Sequence, residues 1–250
     1  MAGHSKWANI KHKKAATDAK RAKVWSKLSK AIMVAAKAGG GDMDTNIRLR
    51  TMVADAKAVS MPKDNIDRAI KKGTGELDGG DVEEILYEGY GPAGVAIMCE
   101  ILTDNRNRTA PELRKMFEVN GGNLGATGCV SYLFDRKGLF IVSQDQADEE
   151  KLMEVAMECG ADDINDEGDH FEILCEPEAF TDVCEAFEKA EIECVSKQVT
   201  RIPQTTVDLD EESARKVLKL MEALDDHDDV QNVSSNFNIP EELMAVLGAE

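Results

Sequence analysis

The chain has 250 residues, 42% of them hydrophobic and 31% charged, which is enough apolar material for more than one core and excludes a disordered or fibrous chain. No apolar run approaches the roughly 18 residues of a membrane-spanning helix, and no apolar segment follows the basic start as a secretory signal requires. A formal net charge of −18 argues against casual nucleic-acid binding by the bulk of the surface.

The charge is segregated. Residues 1–37 hold ten Lys/Arg and one acid, Asp18. Residues 1–80 carry +9, and the remainder carries −27. One end is thus built to meet a polyanion that the rest repels, so binding has one orientation. The cations of the start are mostly lysine and serine is sparse, unlike an organellar presequence. The expected location is the cytoplasm.

Residues 1–16 read as a basic arm without sustained period. Thr17 is the expected cap of a helix that GGGD ends near Ala38. At about 100° per residue, Val24, Trp25, Leu28, Ile32 and Ala35 share one sector, and Lys20, Lys23, Lys27, Lys30 and Lys37 form a ridge nearly opposite. Without interleaved glutamate, such a ridge is unusual for a merely solvated face. A second helix is predicted over 46–60. A third follows in SMPKDNIDRAIKKG, capped by Ser60, with Pro62 in its first turn and Gly73 as its stop. GTGELDGGD is a linker.

Beyond it the period changes. VEEILYEGY and VAIMCEIL are predicted strands joined by a turn. RTAPELRKMFEVNGG is a helix with Pro111 in its first turn, and VSYLF is a strand. Residues 134–203 then read β-α-β-β-α-β, the order of a ferredoxin-like sandwich, with 20 acids and 6 bases. A strand (TTVDL), a helix (211–224) and a strand (VQNVSSNFNI) close the chain. The predicted class is α+β: an N-terminal three-helix domain (1–80) and two α+β domains, one (134–203) a ferredoxin-like insertion in the other (81–133 with 204–250).

Few motifs point to catalysis. GYGPAG (89–94) matches G-x-G-x-x-G but is followed by a strand, so it reads as a hairpin turn and not a dinucleotide site. GGNLGATG (121–128) lacks the G-K-[ST] of a phosphate loop. It reads as a helix stop and tight connection, with backbone N–H groups as a lesser phosphate candidate. DINDEG (163–168) begins like a calcium loop, but Leu174 stands where a bidentate glutamate is needed. DDHDD (225–229) reads as a solvated helix end. The cysteines, Cys99, Cys129, Cys159, Cys175, Cys184 and Cys194, have no zinc-ligand spacing, so buried free thiols are expected. No metal site, cofactor or nucleophile constellation emerges, and the expectation is a protein that is not an enzyme. TDNRNRT (103–109) places Arg106 and Arg108 beside a helix start, a candidate anion site, with a capped loop as the equal alternative.

MAGHSKWANIKHKKAATDAKRAK, AGGGDMDTNIRLR, MPKDNIDRAIKKGTGE, YEGYGPAGVA, TDNRNRT and GGNLGATGCVSYLF closely resemble the YebC/PmpR family, over nearly the whole chain. Bacterial members are designated probable transcriptional regulators, and a mitochondrial branch includes the translational activator of cytochrome c oxidase. The resemblance implies three domains, no enzymatic activity and no cofactor. It implies either DNA binding or a place on the ribosome, supporting synthesis through proline-rich stretches. The family usually has Gly-Ser-Val where this chain has Gly128-Cys129-Val130.

The expected function is therefore a non-enzymatic nucleic-acid-binding regulator of gene expression, acting on DNA or, as the alternative, on ribosomal RNA or tRNA. Lys6, Lys11, Lys13, Lys14, Lys20, Arg21, Lys23, Lys27 and Lys30 are the candidate phosphate contacts. Trp7 and His12 are candidates for stacking on exposed bases, with Trp7 as an anchor of the arm the equal alternative. Arg48, Arg50, Lys63, Arg68, Lys71 and Lys72 extend the surface, and Arg106 and Arg108 form a second, weaker site. An acidic protein-interaction scaffold is the rival class. No membrane partner is expected, and a monomer is slightly favoured.

Overall fold

A computed structural model describes residues 18–78, 81–146, 148–168, 170–240 and 243. These fold into two compact units, one of residues 18–129 and 215–233, the other of residues 130–214 and 234–240.

The first unit begins with three helices, α1 (Asp18–Gly39), α2 (Ile47–Ala58) and α3 (Lys63–Gly73). The predicted apolar sector of α1 supplies their shared core: Ile32 and Ala35 are buried with Leu49, Val53, Ala56, Ile66 and Ala69, and Trp25 and Leu28 pack against them. Asn46 ties two of the helices together. Its side chain accepts from Leu49 N–H as the cap of α2 and donates to the carbonyls of Ala35 and Gly40, each at 2.8 Å. Gly73 does more than end α3, because a Cβ there would collide with the Met33 carbonyl and approach Ala36 Cβ to 2.8 Å. Ser60 is not the cap predicted for α3. It takes a left-handed turn at φ 57°, and Pro62 holds the N-cap position without a side-chain bond.

The same unit holds a four-stranded sheet in the order β3-β1-β2-β9, from β1 (Glu83–Tyr90), β2 (Ala96–Thr103), β3 (Asn123–Leu124) and β9 (Val230–Ser235). β2 is buried at seven of its eight positions, all but Glu100, as the run VAIMCEIL, apolar apart from that glutamate, demands of a central strand. Residues 92–94 make a tight turn between β1 and β2, so GYGPAG is a hairpin connection. Helix α4 (Arg106–Val119) packs Phe117 against Gly89, where a Cβ would meet the ring at 2.8 Å. It starts two residues earlier than predicted because Asn105 caps it, leaving Pro111 inside the helix.

In the second unit, β4 (Phe134–Ser143), α5 (Glu149–Glu158), β5 (Ala161–Asp166), β6 (His170–Cys175), α6 (Phe180–Lys189) and β7 (Ser196–Pro203) form an antiparallel sheet in the order β5-β6-β4-β7. This is the predicted ferredoxin-like order. Phe140, Val142, Phe171 and Ile173 face both helices, meeting Leu152, Ala156, Val183 and Phe187. Two predictions fail locally. Residues 131–133 form a 3-10 turn and the strand begins at Phe134, and β7 begins at Ser196, not Ile192. A short pair, β8 (Val207–Asp208) with β10 (Phe237–Asn238), completes the unit. Helix α7 (Glu211–Asp225) leads back toward β9.

Candidate nucleic-acid interface

The arm candidates Lys6, Trp7, Lys11, His12, Lys13 and Lys14 lie outside the described residues. Lys20 and Arg21 fall in the first turn of α1. Lys37 pairs with Asp81 at 2.8 Å, and the three lysines between are in a specific embrace. α7 ends at Asp225, leaving its last carbonyls without partners inside the helix. Lys23 Nζ donates to the Asp226 carbonyl at 3.0 Å, Lys27 Nζ to that of Asp225 at 2.5 Å, and Lys30 Nζ to that of Asp228 at 3.1 Å. Lys27 thus caps the last carbonyl of the helix and Lys23 and Lys30 hold the turn that follows it, with cations placed where the helix dipole is negative.

Lys30 also donates to Asp229 Oδ1 at 2.5 Å. Asp229 is 1% exposed. Its second oxygen accepts from Thr109 at 2.6 Å, Arg108 at 2.9 Å and Thr103 at 3.1 Å. Burial alone would push this carboxyl up. The hydrogen bonds from Lys30, Thr109 and Arg108, with the charge of Lys30, hold it well below the usual carboxylate range. Arg108 is raised in turn by its bond to Asp229. The backbone N–H of Asp229 donates to His227 Nδ1, which leaves Nε2 to donate to Glu112 at 3.0 Å. DDHDD is therefore no solvated helix end. It is a junction that binds α1, the start of α4 and the end of β2 together, and sequence reading misses it because its partners lie more than a hundred residues away.

TDNRNRT supplies the other half of that junction. Thr103 and Thr109 bond each other at 2.8 Å, and Arg108 bridges Asp104 and Asp229. The structure thus places Arg108 on a buried carboxylate, while Arg106 is exposed. Lys23, Lys30, Asp104, Arg108, Glu112 and His227 line a cleft of about 740 Å³. Its mixture of signs is that of a packing seam and offers no nucleophile aligned with a base.

The remaining candidates gather on the helical bundle. Arg48 pairs with Glu84 at 3.1 Å. Arg50, Lys63, Arg68, Lys71 and Lys72 are exposed and have no ion-pair partner among the described residues. They are spread over α2 and α3. The glycine-rich loop 121–129 is held from inside: buried Glu88 accepts Gly128 N–H at 2.7 Å, and Tyr90 donates to the Cys129 carbonyl at 2.9 Å. Among the described residues there is no group of His, Cys, Asp and Glu arranged to hold a metal ion.

Residues 5–76 match a model described as the TACO1/YebC protein N-terminal domain, and residues 82–237 match one described as the TACO1/YebC second and third domain. A probable transcriptional regulatory protein of Rhodopirellula baltica is 64% identical over 97% of this chain and 98% of its own. One of Geobacter sulfurreducens is 58% identical over 99% and 100%. The crystal structure of the conserved hypothetical protein Aq1575 from Aquifex aeolicus superposes with a TM-score of 0.86 at 51% identity, covering 94% of this chain and 97% of that one.

Proposed function

The chain belongs to the TACO1/YebC family, and from that premise we propose that it is a cytoplasmic, non-enzymatic regulator of gene expression that binds nucleic acid through residues 1–80 and needs no cofactor. The observation that carries this reading is the +9 of that region against −27 elsewhere, with Arg50, Lys63, Arg68, Lys71 and Lys72 exposed on its folded part. These five, with Lys6, Lys11, Lys13, Lys14, Lys20, Arg21 and Lys23, are the phosphate contacts of the proposal. Trp7 and His12 are its stacking residues, and Arg48 and Arg106 lie at its margin. Lys27, Lys30 and Arg108 serve it by fixing the bundle to the sheet. The names of the bacterial relatives favour a transcriptional regulator on DNA.

One feature favours the second reading, a translation factor on ribosomal RNA or tRNA. Helix α1, the most basic element, is capped onto α7 and lacks the Asn, Gln and Arg mixture that reads base edges in a major groove. Recognition through phosphates and shape suits structured RNA. Crosslinking in living cells followed by sequencing decides between them. Reads at defined positions of ribosomal RNA or tRNA make it a translation factor, and discrete promoter DNA makes it a transcription factor. Recovery of no nucleic acid above a control in which the five bundle cations are neutralised contradicts both.

A further inference from the structure

The four-stranded sheet of the first unit leaves one edge open. β1 pairs with β2 in continuous antiparallel register along its whole length, but with β3 only at Gly89 and Tyr90. In an antiparallel ladder the bonded pairs alternate, and a residue that does not bond to one neighbour turns both its N–H and its C=O to the other side. Leu102 N–H donates to the Asp229 carbonyl at 2.8 Å, away from β1. Its partner in β1 is Glu84, so Glu84, and with it Leu86 and Glu88, point their backbone groups outward. The Glu88 carbonyl agrees with this direction, since it accepts Gly125 N–H at 2.8 Å from that side. At Glu84 and Leu86 no strand or loop meets the outward N–H and C=O among the described residues. This stretch of edge has no proline, no register shift and no lysine, the usual guards against strand pairing. In the other sheet, edge strand β5 is interrupted by a register shift between Ala161 and Asp163.

We propose that the edge of β1 from Glu83 to Leu86 is a docking site for an extended basic segment of a partner protein, which adds to the sheet as a further strand. The one guard left on this edge is charge, and charge selects the occupant. Glu83 and Glu84 are exposed. Glu83 has no ion-pair partner among the described residues, and Glu84 meets Arg48 at 3.1 Å in an exposed pair that water and salt weaken. A Lys or Arg set opposite these glutamates stabilises the pairing, whereas a like charge opposes it. A second copy of this chain would bring two more glutamates to the edge, so the feature that disfavours self-pairing favours a cationic strand. Ile85, Leu86 and Tyr87 are half-buried. They leave apolar surface on both faces of β1 for the apolar side chains that alternate with the cations of the incoming segment. Backbone pairing at two residues is short, so the complex belongs among weak, transient ones. The inference does not rest on the nucleic-acid reading.

The test follows amide hydrogen exchange of the full chain by NMR, with the peptide Lys-Val-Lys-Val-Lys, capped at both ends, as the probe. In the free chain the amides of Glu84 and Leu86 should exchange fast, while those of Ile85 and Tyr87, which face β2, exchange slowly. Added peptide should slow Glu84 and Leu86 by about ten-fold or more and leave Ile85 and Tyr87 unchanged. Because the readout is local, peptide held by the acidic domain does not imitate it. Slow exchange at Glu84 and Leu86 in the free chain overturns the open edge, and unchanged exchange at the highest soluble peptide concentration overturns the docking. Equal protection by Glu-Val-Glu-Val-Glu overturns the basic occupant. Leu86→Pro removes an outward N–H and no bond to β2, and it should abolish the protection of Glu84. Glu83→Lys with Glu84→Lys keeps the backbone edge intact and should transfer the protection from the lysine peptide to the glutamate peptide. Protection by the lysine peptide that survives in both variants overturns the proposal.

Discussion

Asp229 shows how a residue that looks like surface charge becomes a structural centre. Its carboxylate answers Lys30, Thr103, Thr109 and Arg108 from three separate elements. Removing one partner of such a pair leaves a poorly solvated charge behind, at a cost of about 3–5 kcal/mol. Asp229→Ala should therefore lower unfolding free energy by about that much in urea titration, and a loss under about 1 kcal/mol would contradict the assignment. Thr109→Val, which removes one bond to an ion, should cost about 1.5–3 kcal/mol. The pH dependence has a definite sign. Because the folded carboxyl lies below its unfolded value of about 3.9, its contribution is complete above that value and is lost as the pH falls through the strongly acid range. Asp229→Asn should flatten the acid limb of the stability profile and leave the neutral-to-alkaline limb unchanged. The thiols give a second check. Burial pushes Cys99 up to about 12, and pushes Cys175 and Cys194 up to about 11. All three should resist alkylation at pH 8 until the protein is unfolded, and fast native labelling at Cys99 would contradict its place in β2.

Elements with strong periods were legible from sequence and those defined by distant partners were not. The apolar sector of α1, the Pro and Gly punctuation of α3 and the βαββαβ order all follow from local chemistry. The 3-10 turn at 131–133 has the apolar look of a strand, yet Leu133 N–H donates to the Val130 carbonyl at 2.9 Å and closes a turn before β4 begins at Phe134. The ridge of α1 was legible as a ridge, but its use as a cap for α7 depends on residues nearly two hundred positions away. This changes how the interface is to be tested. Lys27→Glu with Lys30→Glu sets like charges against Asp225 and Asp229 and should destabilise the first unit, visible as a lowered Tm. Neutralising Arg50, Lys63, Arg68, Lys71 and Lys72, which hold no carboxylate among the described residues, should shift Tm little while weakening nucleic-acid binding. A large fall in Tm from the second set, or none from the first, would reverse the assignment. We also propose that 1–80, 81–133 with 204–250, and 134–203 are the folding units. Native-state hydrogen exchange should resolve three cooperative blocks, and joint exchange of the bundle with the β1–β2–β9 sheet would contradict that partition.

For the molecule as a whole, charge does two jobs. Within the first unit, cations and acids meet across the α1–α7 seam and hold helices to a sheet. Across the chain, an excess of +9 in residues 1–80 stands against −27 beyond them, so a polyanion is drawn to one end and turned away from the other. In the proposed interface the exposed cations of α2 and α3 are the folded part of that attraction. The direct test is the salt dependence of binding to duplex DNA and to structured RNA, for the native chain and for the variant with Arg50, Lys63, Arg68, Lys71 and Lys72 changed to Gln. Five phosphate contacts correspond to about −4.5 in the log–log slope on duplex DNA. The native chain should show at least that slope on whichever polymer it binds. The variant's slope should be shallower by about the same amount on duplex DNA, and by about 3.5 on a single-stranded target. A native slope near zero on every nucleic acid, or a variant whose slope and affinity match the native chain, would contradict the proposed interface.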